Sequence, residues 1–102
     1  MSRTGSSITI VCYDITSNRL RAKIDKCMKD FGTRIQYSVF LCRLDAEGVV
    51  RCKAKLAKVL EKFSGEKEPD DSIIIFERLS PDCIISLIGE KIERDAPKFM
   101  IL

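Results

Sequence analysis

The order in which the apolar residues change period constrains this chain most. "ITIVCYD" (8–14) is a run of β-branched and aromatic residues and predicts a strand. From Leu20 the apolar residues fall at 20, 24, 27, 28 and 31, which is one face of a helix. Ser17 or Asn18 is placed to cap that helix, and Gly32 to stop it. "TRIQYSVFLCRL" (33–44) is strand material with no Gly or Pro inside it. It is long for one strand, so two short strands or a bulge near Tyr37–Ser38 are expected. After "DAEG" a second amphipathic helix is expected over about 47–63, turning Val49, Cys52, Leu56, Val59, Leu60 and Phe63 inward. "SGEKEPDD" reads as an acidic loop, "SIIIFERL" (72–79) as a strand and "CIISLIG" (83–89) as another. The tail at 90–102 has no clear period.

The resulting order is β-α-β-β-α-β with an extra C-terminal strand. That is an α+β, ferredoxin-like plan, with two helices on one face of an antiparallel sheet. In "SIIIF" both alternating faces are apolar: Ile73 and Ile75 point one way, Ile74 and Phe76 the other. Helices on one face alone would leave the second apolar face wet, and large exposed apolar patches are uncommon. A symmetric homodimer packed sheet to sheet is therefore expected. Phe40, Ile74, Phe76 and Ile85 are assigned to its interface.

The chain has 102 residues, the size of one domain, with a core expected over about 8–89. No apolar run approaches the roughly 20 residues of a membrane span, and "MSRTGSS" has no signal-peptide core, so a cytoplasmic protein is expected. There is no histidine, which excludes Ser-His-Asp triads, histidine general bases and histidine zinc sites. The five cysteines form no C-x-x-C pair, and all five read as small buried hydrophobes. The net charge of +3 is unevenly spread. Through Phe63 there are 13 Lys/Arg against 6 Asp/Glu, and beyond it 5 against 9. A basic front half suggests a polyanionic partner.

The front half also carries a resemblance. "VCYDITSNRLRAKIDKCMKDFGTRIQYSVFLCRL" is similar to the CRISPR-associated protein 2 family, the small ferredoxin-like partner of the CRISPR integrase. The matching pieces are Tyr13-Asp14-Ile15, Arg19 and Arg21, Gly32, and Arg34 through Phe40; "DSIIIFERL" sits where the family has its "DS-apolar" strand. The likeness covers roughly residues 8–79. It implies a homodimer with both Asp14 carboxylates near the interface. It also implies one of two roles: a scaffold carrying duplex DNA for the integrase, or a metal-dependent nuclease on RNA or DNA acting through that aspartate. The virulence-associated toxin ribonucleases of the same fold are a neighbouring alternative, and a ligand-binding regulatory domain of this fold is a third class with no pocket signature here.

Asp14 is thus the candidate catalytic residue and the candidate ligand for Mg²⁺ or Mn²⁺. Mg²⁺ takes an octahedron of oxygens, commonly one or two carboxylates with waters and phosphate, and a two-fold axis would double the single Asp14. The family often has acidic residues directly after its Y-D-I; here the turn is Thr16-Ser17-Asn18. Arg19, Arg21 and Lys23 open the first helix, where the macrodipole prefers acids, so phosphate contact is the expected reason for them. Arg34 is added to that nucleic-acid patch, and Arg43 as its extension. Lys53, Lys55, Lys58 and Lys62 read as an ordinary solvated helix face.

Overall fold

The computed structural model describes residues 6–83, 86–87 and 100–101. Strand β1 (Ser7–Asp14) leads into helix α1 (Asn18–Met28), then strands β2 (Gly32–Gln36) and β3 (Val39–Leu44), helix α2 (Ala46–Lys62) and strand β4 (Ser72–Leu79). The sheet order is β2-β3-β1-β4 with every neighbour antiparallel, the ferredoxin-like arrangement. Two short strands, β5 (Ser86–Leu87) and β6 (Met100–Ile101), pair in parallel. The rest of the strand predicted over 83–89, Ile85 included, lies outside the described residues, as does most of the tail.

Both helices form over the periodic segments, although α1 stops at Met28, before Phe31. Ser17 caps α1 by accepting the Leu20 amide at 3.1 Å, and Asp45 caps α2 by accepting the Gly48 amide at 2.7 Å. Leu20, Ile24 and Met28 are buried, with Cys27 and Phe31 packed at the margin. From α2 come Cys52 and Leu56, with Val59, Leu60 and Phe63 partly buried. These close over Val11, Tyr13, Phe40 and Cys42 on one sheet face.

The segment 33–44 divides into β2 and β3 at Tyr37–Ser38, as expected from its length. Ser38 takes a positive φ of 62° in the turn. Gly32 does not stop α1. The helix ends at Met28, and Gly32 opens β2 instead. A Cβ there would lie 2.4 Å from the Leu41 carbonyl oxygen and 2.5 Å from Cys42 Sγ, so only glycine permits this approach of β2 to β3.

The two faces of β4 separate as the alternation predicts. Ile73 and Ile75 pack against the helix-side core, while Ile74 and Phe76 remain 55% and 51% exposed on the opposite face. Ile8, Ile35 and Leu41 form a smaller buried cluster on that second face, with Ile10, Val39 and Leu79 beside it. Phe40 does not belong there. It is fully buried against the helices, because it stands opposite Val11 in register and shares its face. Its assignment to a sheet-to-sheet interface is therefore incorrect.

The cysteines divide similarly. Cys42 and Cys52 are buried, Cys12 and Cys27 are half-buried, and Cys83 is exposed, against expectation. Burial pushes the Cys42 thiol up to about 12 and the Cys52 thiol up to about 11, so neither is a thiolate nucleophile at neutral pH.

Candidate functional site

Asp14 ends β1 and is exposed. It pairs in register with Ser72, the first residue of β4, and alternation puts it on the open sheet face with Ile10 and Cys12. Ile74 stands opposite Cys12, and Phe76 opposite Ile10. The candidate metal ligand and the two exposed apolar side chains therefore share one surface.

The turn after Asp14 is held from the β4 side. Asp71 is buried and accepts the Thr16 amide and hydroxyl at 2.9 Å each, together with the Glu68 amide at 2.8 Å. The Glu68 amide foremost, then the Thr16 groups, hold the Asp71 carboxyl below its ordinary value. One residue on, Ser17 Oγ donates to Glu66 Oε1 at 2.9 Å, from the single 3₁₀ turn Ser64–Glu66. The first turn of α1 has no acid of its own, so Glu66 supplies the negative charge the helix start prefers. The acidic loop is thus partly structural, and that offsets some of the cost of the cations beside it.

Arg19 and Lys23 are exposed and approach the Phe63 ring, at 5.9 and 5.3 Å from its centroid. Arg21 donates from both terminal nitrogens to Asn18 Oδ1 at 2.7 Å and lies 5.5 Å from the centroid of Tyr37, itself 65% exposed. Arg34 is engaged differently from a free patch residue. It pairs with Asp25 at 3.3 Å, with its side chain 19% exposed, and lies 5.9 Å from the Phe40 ring. The Tyr13 hydroxyl donates to the same carboxylate. Burial, then Asp25, pushes the Tyr13 phenol up, which keeps it a donor. Arg34 thus belongs first to a network joining β1, α1 and β2. Arg43 does not extend the helix-start surface. It stands opposite Ile8, six residues along β1 from Asp14, or roughly 20 Å.

Asp25 and Asp71 were not visible as site residues from the sequence alone. Asp25 follows Arg21 by four residues on α1, but Arg21 bonds Asn18 instead, and the actual partners of Asp25, Tyr13 and Arg34, come from other elements and leave no local signal. Asp71 has no local signature, because its partners Thr16 and Glu68 meet only in the fold.

Known proteins share this arrangement. The family model for the CRISPR-associated protein Cas2 matches residues 7–83, which covers β1 through β4 and both helices. This chain belongs to the Cas2 family.

A CRISPR-associated endoribonuclease Cas2 of Thermus thermophilus is 42% identical over 53 residues, 52% of this chain and 56% of its own length. The present Cas2-family chain thus spans little more than half of that relative in the alignment. A hypothetical protein of Thermus thermophilus has a crystal structure similar to this one, with a TM-score of 0.60 and 29% identity over 71% of this chain and 80% of that one. A Cas2 crystal structure shares the fold over 95% of this chain and 99% of its own, with a TM-score of 0.59 and 23% identity. Tyr13 and Asp14, adjacent at the end of β1, take opposite roles. Tyr13 turns into the core and Asp14 outward. Among the described residues, no group of three acidic or cysteine side chains is placed to hold a metal ion, and no helix is long and apolar enough to cross a membrane.

Proposed function

We propose that this chain is a CRISPR adaptation protein that binds duplex DNA as a homodimeric scaffold for the spacer integrase. The observation that carries this reading is the start of α1. Arg19 and Arg21 occupy the first turn of α1, where the macrodipole disfavours cations, and Lys23 follows them in the next turn, while the compensating acid, Glu66, comes from another element. None of the three has a carboxylate partner within salt-bridge distance among the described residues. Phosphate is the counter-ion that suits them. The dimer brings the open faces together through Ile74 and Phe76, so that both helix starts remain in water and two such cation groups act on one duplex.

Duplex binding measured against salt tests this. The log–log slope is about −0.9 per phosphate contacted. Arg19→Ala with Arg21→Ala flattens it while the fold is retained, because both side chains lie off the buried Leu20, Ile24 and Met28 face. An unchanged slope in a folded double variant refutes the assignment.

A second reading rests on Asp14. Its exposed carboxylate lies on the surface that the dimer would cover, so a two-fold axis can bring two copies together. One carboxylate per protomer with water and phosphate suits Mg²⁺ or Mn²⁺, and the paired Asp14 residues would hold the ion. Such an ion lowers the pKa of a bound water and stabilises a leaving oxygen. The residues of this chain would bind the phosphodiester through the α1 cations and orient it across the Asp14 pair. This would make the protein a metal-dependent endonuclease, in keeping with the endoribonuclease name of the Thermus thermophilus relative.

A further inference from the structure

A second basic surface adjoins the start of α1 and shares Lys23 with it. Helices α1 and α2 leave between them a solvent-facing groove of about 390 Å³. Lys23 and Lys26 line it from α1, and Lys55, Lys58 and Lys62 from α2. Its apolar wall is Cys27, Val59 and Phe63, and Asp30 is its one acidic lining residue. These α2 lysines are exposed, as expected of a solvated face, and they share the groove with lysines of the other helix. Lys53, by contrast, pairs with Glu77 at 2.6 Å.

Lys26 and Lys62 have an ordinary reason to be there, since each sits in a last helical turn where the macrodipole favours cations. Lys23, Lys55 and Lys58 have no such reason. Three cations, Arg19, Lys23 and Lys62, also surround the single Phe63 ring at 5.3–5.9 Å. Like charges gathered in one concavity repel, and a multivalent anion relieves that repulsion.

We infer that the α1–α2 groove binds a single nucleic-acid strand by its phosphates. This rests on the nucleic-acid reading of the α1 start and adds a second site to it. Helices in contact pack about 8–10 Å apart, so a duplex cannot sink between them, whereas one strand can. From Lys55 to Lys62 the groove runs about 10 Å along α2, room for roughly three phosphates of a stacked strand. Phe63, the aromatic side chain of the apolar wall, gives with the lysines beside it the pairing of charge and stacking surface that single strands use. Phe63 joins the two surfaces, since both Arg19 of the helix start and Lys62 of the groove lie against it.

The test compares a labelled 12-nucleotide single strand with a labelled duplex on the full chain by fluorescence anisotropy. Lys55→Gln with Lys58→Gln removes two exposed charges that the duplex surface does not use. Single-strand affinity falls by on the order of tenfold at 0.1 M salt, and the salt slope shrinks by about 0.7 for each phosphate that a lysine no longer neutralises. Duplex affinity changes less than about twofold. Arg19→Ala with Arg21→Ala affects the duplex in the reverse sense. Equal losses on both ligands, or unchanged single-strand binding in the lysine variant, overturn the groove assignment and leave the duplex reading standing. A wild-type protein that binds neither ligand overturns both.

Discussion

Asp71 accepts both the amide and the hydroxyl of Thr16 at 2.9 Å, tying the turn after β1 to the residue before β4. Because Asp14 and Ser72 are the paired ends of those strands, this bond fixes the exit of the strand that carries the candidate site. It makes the position of Asp14 depend on a residue 57 places away in the sequence.

Asp71 should make the fold acid-sensitive. Its folded pKa is lowered from the ordinary 3.8, so the unfolded chain binds the proton first. The stabilisation is present above pH 3.8 and is lost as pH falls through the folded value. Asp71→Asn is expected to melt at a lower temperature than wild type at pH 7, with the gap closing as the pH drops below 3.8. Parallel melting curves across that range would show that the carboxylate charge is not what holds the turn.

Phe40 is a core residue, so its removal should act within each protomer. Phe40→Ala is expected to cost about 3–5 kcal/mol in urea unfolding. The loss should be the same at low and high protein concentration. A cost that appears only at low concentration would place Phe40 at an interface after all.

Ile74 and Phe76 should behave in the opposite way. Both are more than half exposed on the protomer, so Ile74→Glu with Phe76→Glu leaves its core intact. Light scattering of wild type is expected to give about twice the 11.6 kDa chain mass, and the double variant 11.6 kDa. An unchanged mass in the variant would remove the open sheet face from the dimer contact.

Asp14→Asn separates the two functional readings. The amide keeps the size and loses the charge that a hard cation needs. Cleavage of labelled RNA or DNA in Mg²⁺ is expected to fall to background. Duplex binding in chelator is expected to persist, since the α1 cations carry it. Cleavage that survives the substitution would belong to another site or to a contaminant.

Local patterns determined the type and order of the elements from β1 to β4, though not the end of α1. Apolar residues at 20, 24, 27 and 28 and the two-faced "SIIIF" are local patterns, and burial follows them directly. The position of Asp14 at a strand end was legible for the same reason. Tertiary structure decided the rest, because those outcomes depend on partners distant in the chain. Phe40 became core through its register with Val11, and Gly32 became a close approach through Cys42. Arg34 was drawn to Asp25 across two elements, and Asp71 to Thr16 across 55 residues. The lysines of α2 gained their neighbours from α1 only when the helices packed side by side. A strand or helix is specified by side chains two to four places apart, whereas a charge takes its role from whatever the fold places within a few ångströms of it.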